Sequence, residues 1–288
     1  MRAYEYILSK QIQWALNRGV QLIGSKGHRG RPAYAPELNQ NLFEPLEPSV
    51  RESFSKGDGK EIIGGVDSPA KIQAVHSSSA LSVNIFQYWQ KNNQVPIIAA
   101  ACGFCRKGNN ISEKITFEDK YPIDSSFQFS PNVDVVFWNS ESSKFKRFAV
   151  ECKFSEAYGS QGHSGLKPEY ISLSVLWEDI PNIYELAGSI CPNDTKFVYL
   201  HPAQLIKHIL GLKVKFGKDG FRLMYLWYDV LGEEGTIHRN EIEAFSNIVR
   251  SDGIKFHVMS YQELIVKLSN EYRQGHDRYI KYLTERYL

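Results

Sequence analysis

Pro131-Asn132-Val133-Asp134-Val135-Val136 and, after a polar connection, Val150-Glu151-Cys152-Lys153 are the segments on which the reading of this 288-residue chain turns. Valine and aromatic neighbours mark both as strands, expected over 133–138 and 145–154, and residues 139–144 form a connection of hairpin length. Side chains alternate along a strand, so Glu151 and Lys153 share one face while Cys152 takes the other, and the hairpin brings Asp134 alongside. Two carboxylates and one amine thereby converge on one side of a sheet. Val133, Val135, Val136, Phe148, Val150 and Phe154 around them suggest that the sheet is buried, and charges in such surroundings need a reason. The plain alternative is an exposed hairpin with a solvated Glu–Lys pair, and the apolar flanks weigh against it.

Two neighbouring carboxylates repel, and one would take up a proton. A divalent cation removes the conflict. Mg²⁺ favours one or two carboxylates, waters and phosphate oxygens, and it lowers the pKa of a bound water while shielding phosphodiester charge. A lysine beside it is suited to hold the attacking water and stabilise the transition state. The chemistry implied is metal-dependent hydrolysis of a phosphodiester.

Asp134, followed on the next strand by Glu151-Cys152-Lys153, resembles the PD-(D/E)XK nuclease superfamily, which includes many restriction endonucleases. The resemblance implies an α/β, restriction-endonuclease-like core with a central mixed β-sheet flanked by helices, plus an N-terminal elaboration. It implies Mg²⁺ as cofactor, with Mn²⁺ able to substitute. Asp134, Glu151 and the backbone carbonyl of Cys152 would be the metal ligands, and Lys153 would be catalytic. The chain departs from the family pattern in two places. Pro131 stands three positions before Asp134 rather than directly before it. The helix expected at 78–91, where many members carry a further acid, offers Asn84, which leaves Glu113 or Glu118 to substitute and both one-metal and two-metal sites open.

Helical spacing of Tyr4, Leu8, Ile12 and Leu16 predicts a helix over 3–17. Residues 33–70 read as irregular. Serines 77–79 cap the helix that runs to 91. Residues 96–102 read as a short buried strand, 106–130 as polar loop and 156–168 as an exposed loop in which Glu156 is an ordinary charge. Residues 169–188 read as mostly helical, 197–200 as a strand, 202–210 as a helix stopped by Gly211 and 221–230 as a central strand. A helix at 237–250, a strand at 254–259 and helices within 261–288 complete the pattern of an α/β domain. The expected division is an N-terminal helix with an irregular basic segment, 1–70, packed on a nuclease-like domain, 71–288.

On the 202–210 helix, Gln204, Lys207 and His208 share a side. Gln204-x-x-x-His208 faintly resembles the Gln-x-x-x-Tyr element of some nucleases in the superfamily, so Gln204 joins the expected catalytic set. The net charge of +2 excludes a global polycation, so nucleic-acid contact must be local. The candidates are Lys207, His208, Lys213 and Lys215, together with Lys26, Arg29 and Arg31 in a glycine-rich loop that lacks the Walker spacing. The four cysteines do not make a disulfide framework, and the lone Cys102-x-x-Cys105 is short of the four ligands a structural zinc needs. No apolar run approaches the ~18–20 residues of a membrane span, and the first residues lack a signal-peptide stretch, so the expected location is cytoplasmic. The expected partner is DNA, with RNA not excluded and no membrane. Cleaving both strands of a duplex asks for two sites, which makes a homodimer a possible assembly. Two other readings stay open: a catalytically inactive nuclease-like DNA-binding or scaffold protein, and an RNA-directed nuclease of the same fold.

Overall fold

The computed structural model of the chain describes residues 1–26, 30–65, 68–159 and 163–288. Arg29 lies outside the described residues. The elements in chain order are α1 (Ala3–Asn17), α2 (Pro48–Lys56), α3 (Ser78–Lys91), α4 (Val95–Ala101), β1 (Ser112–Lys120), β2 (Asn132–Asn139), β3 (Arg147–Lys153), α5 (Pro168–Ser172), α6 (Pro181–Ser189), α7 (Pro202–Phe216), β4 (Phe221–Trp227), α8 (Glu233–Ser251), β5 (Phe256–Ser260), α9 (Tyr261–Glu271) and α10 (Asp277–Tyr287). The strands form one mixed sheet in the order β1-β2-β3-β4-β5. The first three are antiparallel neighbours, as short connections allow, and β3, β4 and β5 run parallel. Parallel neighbours need long crossovers. The one from β3 to β4 carries α5, α6 and α7, and α8 makes the one from β4 to β5.

Helices cover both faces of the sheet. On one, α3 packs on β1, β2 and β3, α4 on β1 and α9 on β5, with α10 and then α1 outside α9. On the other, α7 packs on β4 and α8 on β5, with α6 joined to both. Among the described residues no helix is long and apolar enough to cross a membrane.

Several segments fold differently from what local sequence suggests. Residues 95–101 form α4 rather than a strand. Pro96 occupies the first turn, where its missing N–H is no loss. Alanines at 99–101 favour helix, and near-complete burial leaves no polar face to show the period. The polar stretch 106–130 contains β1, an edge strand whose Glu113, Lys114, Asp119 and Lys120 obscure the alternation and guard the open edge. Within 33–70, α2 buries Val50 and Phe54, and Phe54 meets Phe117 of β1. Residues 197–200 are not a strand. The amides of Val198, Tyr199 and Leu200 donate to the Glu241 carboxylate at 2.6, 2.9 and 2.8 Å, so one side chain replaces a ladder. The helix from Pro202 continues past Gly211 to Phe216. Gly211 instead allows close packing: a Cβ there would lie 2.4 Å from the Tyr121 carbonyl oxygen.

The N-terminal segment is tied to the C-terminal helix through Arg286, which is 1% exposed. Its guanidinium donates to Gln11 Oε1, Asn41 O, Asn41 Oδ1, Tyr282 Oη and Val75 O and lies 3.9 Å from the Trp14 ring centre. The buried apolar core runs unbroken from Ala3 to Tyr287. Arg286→Met leaves these acceptors unpaired and is expected to destabilise the protein by about 2–4 kcal/mol, read as a lower urea midpoint. An unchanged midpoint would show that the network is not holding the two ends of the chain together.

Candidate active site

Pairing between β2 and β3 runs from Trp138↔Arg147 to Val135↔Val150 and stops there. One residue further on, the Cys152 amide donates to Asp134 Oδ2 at 2.7 Å, so a carboxylate takes the place of a rung and the strands part. On its other side β3 stays paired to β4 as far as Lys153↔Trp227, which keeps the opening one-sided. An amide and carbonyl of one residue leave a strand on the same side, so the Cys152 carbonyl faces this gap. The Cys152 side chain is buried on the opposite face, towards Tyr261.

Glu151 is fully buried, and Lys153 and His208 flank it. Lys153 Nζ lies 2.7 Å from Oε1 and His208 Nε2 lies 2.7 Å from Oε2. An ionised carboxylate only accepts, so the His208 ring donates from Nε2. Burial opposes ionisation of Glu151, but the charges of Lys153 and His208 prevail and hold its carboxyl down at about 2. Burial likewise works against the Lys153 ammonium, while Glu151, Glu156 and Asp134 hold its pKa above the usual lysine range. Lys153 also donates to Gln204 Oε1 at 2.9 Å. The first turns of α7 therefore clamp both members of the Glu–Lys pair, an arrangement the sequence did not foresee for either residue, since Gln204 was expected in the catalytic set and His208 at nucleic acid. His208 is buried at 1% exposure, so its ring is turned to Glu151 rather than to the surface where the sequence reading placed it.

The register sets a row of acids across the sheet. Between Phe117↔Val135 and Asp119↔Val133, Glu118 falls opposite Asp134, and Asp134 stands one step past Val135↔Val150, beside Glu151. Like charges directly across strands repel. Burial, then Glu151 and Glu118, push the Asp134 carboxyl well above its usual range. Burial, then Glu61, push Glu118 up to about 7. Glu118 has φ +56°, a left-handed conformation that is strained for a non-glycine residue, and it accepts from Asn132 Nδ2 at 3.4 Å. Of the two substitute acids, Glu118 joins the row and Glu113 points to solvent. Glu61 was not foreseen. It accepts from Ser79 Oγ at 3.3 Å at the start of α3, and no local motif marks it because a distant segment delivers it. Ser77 caps α3 by accepting from Ala80 N. Asn84 turns away to Phe43, Asn41 and Tyr287. Glu156 accepts from the Phe154 amide at 3.2 Å and adds negative charge near Lys153.

Among the described residues no three His, Cys, Asp or Glu side chains are placed to hold a metal ion. The donor set suits a more open site. Glu151 Oε1 is buried without a directional hydrogen bond despite its ion pair, and neither Asp134 nor Glu118 forms an ion pair among the described residues. Two carboxylates with a main-chain carbonyl, completed by water and phosphate oxygens, match the preference of Mg²⁺.

The expected phosphate-binding residues are dispersed. Lys26 is exposed. Arg31 pairs with Glu5 at 2.7 Å, both about half exposed. Lys207 is half-buried one turn beyond Gln204. Lys213 reaches the Leu176 carbonyl at 3.4 Å, and Lys215 is exposed. These last two sit on the final turns of α7, about 13–17 Å along the helix from Gln204.

A mixed five-stranded sheet covered by helices, with acids gathered where one hairpin parts, is an α/β architecture of restriction-endonuclease-like kind. The family described as restriction endonuclease associating with ARP matches residues 9–288, and the chain belongs to that family. No curated protein and no solved structure matches it.

The acid row gives a pH signature. Glu118 has its folded pKa raised from 4.5 to about 7, so its stabilisation is complete below 4.5 and is lost as pH rises through 7. Asp134 shifts in the same direction. Glu151, held at about 2, stabilises above 4.5 and loses that contribution only in strong acid. In metal-free buffer, stability should fall by about 1–3 kcal/mol between pH 4.5 and 7, and Glu118→Gln should flatten that slope in urea titrations. A variant with the parental slope would remove Glu118 from the row.

Proposed function

We propose that the protein is a Mg²⁺-dependent nuclease of the PD-(D/E)XK type that hydrolyses DNA phosphodiester bonds in a restriction or defence setting, with Mn²⁺ able to substitute. The observation that carries this reading is the buried Glu151 carboxylate, flanked by Lys153 and His208, where Asp134 forces the hairpin apart. A carboxylate buried this deeply, with a strained acid nearby, has a poor structural rationale and a good catalytic one.

Asp134, Glu151 and the Cys152 carbonyl would hold the cation, which supplies Lewis-acid stabilisation and a more acidic bound water. The chain's own residues divide the remaining work. Lys153 stays protonated, so it acts as a fixed positive donor to the attacking water and the developing phosphorane charge rather than as a base. Gln204 accepts from Lys153 through Oε1, which leaves its amide hydrogens for a phosphate oxygen or water. His208 fixes the orientation of Glu151 from behind, a supporting role whose loss typically lowers affinity or activity about 10–100-fold. Membership of the restriction endonuclease family supports the reaction class. Cutting both strands of a duplex would pair two such chains.

Purified protein incubated with plasmid, linear duplex, single-stranded DNA and RNA, with Mg²⁺, Mn²⁺ or EDTA, tests the reading. Cutting of DNA that EDTA abolishes is the expected result. Asp134→Asn and Glu151→Gln should lose calorimetric Mg²⁺ binding and activity together. Lys153→Ala should keep metal binding and lose about 10²–10³-fold in rate. Parental cutting by all three variants would overturn the assignment, and preference for RNA would replace the DNA part of it.

A further inference from the structure

A cavity of about 350 Å³ opens beside this site, at the lower end of the range for specific small-ligand pockets. Three segments that adjoin the elements of the active site wall it: 126–131, which leads into β2 and Asp134; 164–170, which follows β3; and Lys207, one turn past Gln204 on the same side of α7. Residues at that spacing have Cβ atoms about 5–6 Å apart, so a chain gripped at Gln204 continues past Lys207 into the cavity.

The lining has the chemistry of a nucleotide. Phe127 and Tyr170 are stacked, with centroids 4.1 Å apart and planes at 19°. Phe129 is 64% exposed and makes no ring contact among the described residues. A single exposed phenylalanine is common, but this one lines a cavity together with Ser126, Ser130 and Ser164, with Lys207, and with Lys167 and Glu169, which pair at 3.6 Å. Lys207 is half-buried and forms no ion pair among the described residues. Burial, together with nearby Lys167, holds its ammonium below the usual range despite the field of Glu151, as expected of a cation awaiting an anionic partner. The far wall is preformed. A Cβ on Gly165 would lie 1.9 Å from the Ile190 carbonyl oxygen, so only glycine lets that segment close against residues 190–194.

We propose that this cavity receives one unstacked nucleotide of the substrate strand, adjacent to the phosphate held at Lys153 and Gln204, with its base against Phe129 and the Phe127–Tyr170 pair and its phosphate against Lys207. The inference rests on the nuclease reading and narrows its substrate to single-stranded or locally opened nucleic acid, because a base inside a duplex stack does not reach such a pocket. Base–aromatic stacking tolerates any sequence, so the cavity selects for an unpaired base and not for its identity.

The test uses binding without cleavage. Single-stranded oligonucleotides carrying 2-aminopurine at successive positions, and the corresponding duplexes, are titrated in EDTA with the parent protein, Phe129→Ala and Phe129→Trp, in deoxyribose and ribose versions. The expected result is tighter binding of the single strand and a fluorescence change concentrated at one position. Phe129→Ala should bind about 5–100-fold more weakly, Phe129→Trp should restore affinity, and both should keep the parental unfolding midpoint. Binding in either sugar series supports the proposal, and the tighter one names the sugar. Equal affinity for single strand and duplex, unaltered in Phe129→Ala, would overturn the cavity assignment while leaving plasmid cleavage, and with it the nuclease reading, intact. Failure to bind either form would also overturn it, and the cleavage assay would then decide the wider reading separately. Tight binding of acidic peptides that Phe129→Ala abolishes, without binding of oligonucleotides, would assign the cavity to a protein partner instead.

Discussion

The structure is organised around the cost of keeping one carboxylate charged inside it. Removing an ion from water costs several kcal/mol even after relaxation, and Glu151 is fully buried. Lys153 and His208 together offset that cost from two directions. Neither partner is dispensable, because breaking a buried pair leaves an uncompensated charge, which typically costs about 3–5 kcal/mol. The long crossover between β3 and β4, which their parallel pairing requires, serves this compensation. It returns α7 to the sheet with Gln204 over Lys153 and His208 over Glu151, and Gly211 lets the helix press close to Tyr121.

On the other side of the gap the balance is reversed. Asp134 and Glu118 bring negative charge together in a buried place, with Glu61 adding to the field at Glu118, so the pKa values of Asp134 and Glu118 rise where that of Glu151 is lowered. Two environments one strand apart thus hold carboxyls in opposite states, a separation expected where acid, base and metal-binding roles must be divided. The strained backbone at Glu118 belongs to the same picture. Strain in the middle of a strand persists only where the surrounding structure over-determines it, and here α2, packed on β1, and the Asn132 contact help to fix it.

The segments that misled local reading did so for identifiable reasons. The helix α4 is buried all round, so its sequence shows an apolar run with no period to separate helix from strand. The edge strand β1 carries charges that serve both an open edge and the site, and these hide its alternation. Residues 197–200 look like a strand because they are apolar and rich in strand-forming types, but Glu241, more than forty positions away, takes their amides. His208 read as a surface cation because a helix face gives its direction and not what stands opposite. In each case a long-range contact decided the outcome.

The sequence by itself determined the hairpin, the pairing of Asp134 with Glu151 and Lys153, the capped helix after Ser77 and the alternation of strands and helices, because these follow from side-chain period and turn chemistry within a few residues. Gln204 was legible too, since one helix turn sets its spacing from His208. The tertiary structure alone decided that His208 supports Glu151, that Glu118 rather than Glu113 joins the acids, that Glu61 reaches them, and that a cavity opens between residues 126–131, 164–170 and Lys207. Those facts depend on sheet register and on crossovers that bring together residues tens of positions apart, where burial and charge compensation, rather than local propensity, set the free energy.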